Sequence, residues 1–207
     1  MSKDYSTKSD QKSRWGGLLE NPWVSKVQRR CLDGFNVQGL KRIVADLPYR
    51  SILDVGCGIG EYAKLRTAGY VGLDNSFPHI QFARATQGGC TFIHGDALSL
   101  PFGARTFDAV LLACATHHFE EEALLALLKE MARVSRKYIF IDDAVRWPEQ
   151  SRLSRYFYDL DRGTQFRTIE ALETILKKIA GFRLIRTDTH TTFPGLYQHA
   201  VFVLEAE

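Results

Sequence analysis

Gly56, Gly58 and Gly60 follow directly on an apolar run in the stretch "ILDVGCGIGEY" (52–62). Glycine loses more backbone entropy on folding than any other residue, so such a cluster implies a tight turn or the close approach of a ligand. A glycine turn that leaves a strand and enters a helix can hold an anion or a polar ligand on its backbone N–H groups. Asp74 stands where the next apolar run, "YVGLD", ends. A carboxylate at that place can accept hydrogen bonds from ribose hydroxyls. Glycine turn and acid together form a nucleoside-binding plan. The spacing is D-x-G-x-G-x-G, with Glu61 where the nicotinamide fingerprint G-x-G-x-x-G needs a glycine. A nicotinamide oxidoreductase is therefore a poor reading.

Further along stand residues suited to acid–base work and substrate contact. His117 and His118 follow the run "FDAVLLACA", and imidazole titrates near neutrality. Asp142 and Asp143 close "KYIFIDD". The segment "YFYDLDRGTQFRT" (156–168) interleaves Tyr156 and Tyr158 with Asp159, Asp161, Arg162 and Arg167. Its rings offer stacking surface, and Arg162 can pair with an anionic group. The same segment also reads as a helix with a charged outer face.

Alternating elements must carry these groups. Leu40, Ile43, Val44 and Leu47 mark one face of a helix stopped by Pro48. Strands are expected at "SILDVG", 70–74, 90–96, 107–115 and 137–143, with helices at 61–68 and 78–87 between them. Leu124, Leu127, Leu128 and Met131 form another helical stripe, acidic at its start and basic at its end, as the helix dipole favours. Helices over 153–161 and 168–180 precede two closing strands, "FRLIRTDT" and "YQHAVFVLEA". Continuously apolar central strands alternating with helices imply an α/β, doubly wound, Rossmann-like sheet. We expect seven strands, mostly parallel, with an antiparallel C-terminal hairpin strand. Ligands bind such sheets beyond the carboxyl ends of the strands. Gly56–Gly60, Asp74, Asp96, Ala113–His118 and Asp142–Asp143 fall there.

"LDVGCGIGEY", "GLDNS", "GDALSLPF" and "FDAVLLACATHHF" together resemble the class I S-adenosylmethionine-dependent methyltransferases, in their small-molecule branch called type 11. The likeness runs from about residue 36 to 143. It implies S-adenosylmethionine (SAM) as methyl donor, S-adenosylhomocysteine (SAH) as product, and no metal. Asp54, Gly56, Cys57, Gly58 and Gly60 would shape the wall around the methionine part. Asp74 would hold the ribose, with Asn75 and Ser76 beside it. Asp96 would accept from the adenine amino group, next to Ala97. Ala113 and Cys114 would border the methionyl end. The resemblance gives His117 and His118 as catalytic candidates, His117 favoured as acceptor base, and as substrate-binding candidates Asp143 at the end of the fifth strand and Tyr158 and Arg162 in an insertion over 144–168. The Pro-Gly-Gly turn common before the fifth strand is replaced by "VSRKYIF".

The 207 residues suffice for one sizeable core, expected as a single domain over 15–207. Residues 1–14 are polar and expected to be a disordered tail, and 15–35 to form a helical lid. A net charge of +3 gives little support to nucleic-acid binding. Four cysteines without metal-ligand spacing suggest a reduced, cytoplasmic protein. No run reaches the length of a membrane span. The favoured function is methyl transfer to a small-molecule acceptor, oxygen slightly preferred. The alternatives are a methyltransferase for transfer RNA or other RNA, and a non-catalytic cofactor-binding partner subunit.

Overall fold

The computed structural model describes Trp23 and residues 36–65, 69–161, 163–192 and 195–207. The expected tail, nearly all of the expected lid, and Arg162 lie outside the described residues. Chain order runs α1 (Asn36–Val44), β1 (Ile52–Val55), a 3-10 turn (Glu61–Leu65), β2 (Tyr70–Asp74), α2 (Phe77–Thr86), β3 (Thr91–His94) and β4 (Phe107–Ala113). A short 3-10 turn (Thr116–His118), α3 (Glu121–Val134), β5 (Ser135–Ala144), α4 (Arg152–Leu160), α5 (Ile169–Leu176), β6 (Phe182–Thr191) and β7 (Gln198–Ala206) complete it. The helix expected over 61–68 is tighter than an α-helix where it is described. Gly60 has φ +77°, and its backbone carbonyl accepts from Ala63 N at 3.2 Å, which starts that turn.

The sheet order is β3-β2-β1-β4-β5-β7-β6. The first five strands are parallel, and β7 runs antiparallel between β5 and β6. The direction of winding reverses between β1 and β4, which is where such sheets bind ligands. Side chains alternate across the sheet. Leu53, Val55, Val110, Leu112, Ile139 and Ile141 pack on α3 and α5. Ile52, Ala109, Leu111, Phe140, Val201 and Val203 pack on α1 and α2. Both faces are covered, so the middles of β4 and β5 are apolar and their polar residues stand at the ends.

Each helix start near the site has a local cause. Ser76 caps α2, and Pro78 sits in its first turn, where no donor is needed. Ser151 caps α4 and Thr168 caps α5, each through its side-chain oxygen. Glu121 and Glu122 begin α3 and Arg133 ends it, which suits its dipole.

Candidate active site

A cavity of about 500 Å³ opens beyond the carboxyl ends of β1, β2 and β4. Its wall begins with the glycine turn. Gly56, Gly58 and Gly60 all have positive φ, the region a side chain disfavours. The Gly56 and Cys57 amides both donate to the Leu73 carbonyl, at 2.7 and 3.0 Å, pinning the turn to β2. Asp74 completes the attachment. One carboxylate oxygen accepts from Gly58 N and the other from Ser76 N, each at 2.7 Å. Asp74 thus joins the glycine turn to the start of α2 and lines the cavity between them. Each oxygen keeps a further lone pair for a ligand.

Asn75, Ser76, Asp96, Ala97 and Cys114 also line the cavity. Asp96 is fixed by a turn of its own, accepting from Leu98 N at 2.9 Å. Cys114 is one of two non-glycine residues described with positive φ, at 52°, and its amide donates to the Asp142 carbonyl at 2.7 Å. A strained backbone at a cavity wall is common where function fixes the conformation.

Four of the expected cofactor residues lie behind this wall. Asp54 is buried and accepts from the Tyr70 hydroxyl. Cys57 and Ala113 belong to the core on the α1 face. Gly60 serves packing, because a Cβ there would come within 2.7 Å of the Phe92 ring. Sequence reasoning missed Phe77, Leu98 and Phe119, which give the cavity apolar surface. Phe77 carried a signal: it is a large apolar residue directly after the Asp-Asn-Ser turn, and it stays half exposed.

The two histidines part company. His118 lines the cavity. His117 is buried, its ring stacked on Phe166 at 4.5 Å and its Nδ1 2.6 Å from Asp143. Asp143 has no exposed surface and accepts additionally from the Thr116 hydroxyl, His117 N at 3.1 Å and Ala144 N at 2.8 Å. Burial opposes its ionisation. The adjacent His117 and the hydrogen bonds from His117 and Thr116 outweigh burial and hold the carboxyl well below the usual carboxylate range. Asp143 therefore anchors the exit of β4 and does not face the cavity, contrary to its expected substrate contact.

Tyr158 is likewise corrected. Its ring is buried between Phe166 and Tyr197, and its hydroxyl donates to the Val145 carbonyl at 3.0 Å. Arg167 has a role the sequence did not reveal. It donates to the Thr116 carbonyl at 3.0 Å and the Phe119 carbonyl at 2.7 Å, clamping the turn that carries both histidines. Asp142, next to Asp143 but on the opposite sheet face, pairs with His199 Nδ1 at 2.9 Å.

Comparison with known proteins agrees with this geometry. Residues 52–138 match the family model described as a methyltransferase domain. A fatty-acid O-methyltransferase of Mycolicibacterium smegmatis is 32% identical over 159 residues, 66% of this chain and 57% of that protein. A probable tRNA methyltransferase 9B of Bos taurus is 37% identical over 89 residues, 42% of this chain and 19% of that one. The chain thus spans from a fifth to somewhat over half of these relatives. Among solved structures, the magnesium protoporphyrin IX methyltransferase from Synechocystis PCC 6803 with bound SAH superposes with a TM-score of 0.65 at 20% identity, over 83% of this chain and 82% of that one. With the glycine turn, the acid that closes β2 and the seven-stranded order all in place, residues 52–138 form a stretch that matches a methyltransferase domain, in a chain whose fold is that of the solved methyltransferase structure.

Proposed function

We propose that this chain binds SAM in the cavity and methylates a small-molecule acceptor, on oxygen. The observation that carries the reading is Asp74, a carboxylate on the cavity wall held by Gly58 N and Ser76 N. The residues suit the donor. Asp74 keeps acceptor capacity for ribose hydroxyls, Asp96 can accept from an amino group, and Phe77 and Leu98 offer apolar surface for a flat base. A Cβ built on Gly56 meets nothing nearer than 4.0 Å, so the turn is open on its cavity side. The cavity volume lies in the range of small-ligand sites.

SAM supplies an activated methyl group, and the chain's own residues align and desolvate it. Gly56 and Gly58 present backbone there, and Cys114 and Ala115 close the side nearest β4. His118 marks the edge at which an acceptor meets the donor. His117 is not placed for direct proton abstraction: its ring lies between Asp143 and Phe166. The likeness to a fatty-acid O-methyltransferase, matched over 159 residues, supports an oxygen acceptor of carboxylate type. Among the described residues no helix is long and apolar enough to cross a membrane.

Calorimetric titration with SAM and SAH tests the donor. Micromolar-range binding is expected, and its loss in Asp74→Ala. Turnover on a panel of fatty acids, phenols and transfer RNA tests the acceptor. No binding of either donor form by folded protein refutes the reading. Turnover on transfer RNA alone, with a steep salt dependence, moves the acceptor class to RNA.

A further inference from the structure

The exit of β4 and the end of α4 converge on one point. His117 directs Nδ1 to Asp143, which leaves Nε2 facing Asp161 Oδ1 at 3.7 Å. The His118 ring lies 4.3 Å from that of His117. One ligand atom each from His117, His118 and Asp161 falls within 4.8 Å of the others. Two imidazole nitrogens and a carboxylate oxygen on one point form a set of lone pairs directed at a cation.

The arrangement is held from several sides. The Asp143 carboxylate behind His117 is an outer partner of the kind that orients metal-binding histidines and fixes which ring nitrogen is available. Phe166 stacks within 10° of the His117 plane and sets its tilt. Asp161 Oδ1 accepts from Gly163 N at 2.8 Å, which orients that carboxylate. A Cβ at Gly163 would approach His117 Cδ2 to 2.1 Å, so only glycine lets this segment pass so close to the ring. Gln165 N donates to the His117 carbonyl at 3.0 Å, and Arg167 holds the carbonyls on either side. A solvated pair of surface histidines needs none of this support.

We propose that His117, His118 and Asp161 form a binding site for a divalent first-row transition cation of the zinc class. Three protein ligands leave an open coordination position, the pattern of catalytic zinc sites as opposed to structural ones. His118 also lines the cavity, so the open position lies at its edge. A cation there can hold and polarise an acceptor oxygen. This last role rests on the methyltransferase reading, whereas the cation site itself does not. The sequence concealed the site because two adjacent histidines and a distant aspartate match no ligand spacing, and the expectation was of no metal.

The 207-residue chain, stripped with a chelator, is titrated with Co²⁺ alone and followed by visible absorption. The expected result is one equivalent bound with ligand-field bands, displaced by Zn²⁺. Asp161→Asn and His118→Gln should each weaken binding at least tenfold, with folding checked by circular dichroism. His190→Gln, in the separate Asp142–His190–His199 cluster, should leave binding unchanged. Absence of Co²⁺ binding overturns the proposal. So does binding that survives Asp161→Asn and His118→Gln, or that is lost in His190→Gln. SAM affinity measured on the same samples keeps the two readings apart: metal binding without SAM binding refutes the methyltransferase reading and leaves the cation site standing.

Discussion

Replacing Asp143 by Asn probes the anchor beneath the histidine turn. The wild-type carboxylate accepts four hydrogen bonds, two on each oxygen. Oδ1 serves His117 Nδ1 and Ala144 N, and Oδ2 serves the Thr116 hydroxyl and His117 N. An amide keeps one acceptor oxygen and turns the other into a donor. If its nitrogen faces Ala144, the imidazole can switch tautomer and accept, but Ala144 N–H is orphaned. If it faces Thr116, the hydroxyl can rotate and accept, but His117 N–H is orphaned. Either way one buried backbone donor loses its partner, at about 1–3 kcal/mol, and the charge-assisted bond to His117 is lost, at about 1.5–3 kcal/mol. Relief from burying a charge offsets part of this. A net destabilisation of about 3 kcal/mol follows. Urea unfolding should show the midpoint falling by about 1–1.5 M with the slope unchanged, for a slope of about 2–3 kcal/mol/M. A double-mutant cycle with His117→Gln should give a coupling of about 2 kcal/mol. A loss below about 1 kcal/mol, or a coupling near zero, would refute the network as described.

Three other outcomes are expected. Gly60→Ala combines a positive φ with a Cβ 2.7 Å from the Phe92 ring and should cost about 2–4 kcal/mol in the same unfolding assay. Tyr158→Phe removes the bond to the Val145 carbonyl and should cost about 1 kcal/mol, while SAM affinity by calorimetry stays unchanged. Asp108 accepts from Arg50 N and Ser51 N, and these bonds, against partial burial and with Lys137 and Arg136 nearby, lower its pKa. Its stabilisation is therefore fully present above about pH 4, the unfolded carboxylate value, and fades as pH falls through the lower folded value. The stability gap between wild type and Asp108→Asn should be about 1 kcal/mol at pH 7 and narrow below about pH 4; a gap that widens in acid would contradict the assignment.

The cofactor side of the site was legible because it depends on backbone and on strand ends. Glycines that need positive φ, and an acid closing the second strand, announce themselves in one dimension. The acceptor side was not legible. Whether His117 or His118 reaches the cavity depends on which of them meets Asp143, and that is decided by strand parity and by the loop through Gly163. Arg167 carried no signal, since its partners are carbonyls some fifty residues earlier in the chain. Tyr158 misled because aromatics interleaved with charges suggested an open stacking surface, whereas Tyr197 and Phe166 enclose it.

The position of β7 also governs how the sheet is assembled during synthesis. It is the last strand of the sheet in chain order, yet it lies between β5 and β6. Until it is made, β6 has no neighbour to pair with, and β5 presents an open edge next to the Asp142 carboxylate, whose His199 partner has not yet emerged. Helix α4 must wait as well, because Tyr158 on it closes against Tyr197. The nascent chain therefore passes through a stage with an exposed strand edge of the kind that invites aggregation or chaperone capture. Completion is a long-range closure and should be slow compared with formation of the β1–β4 half.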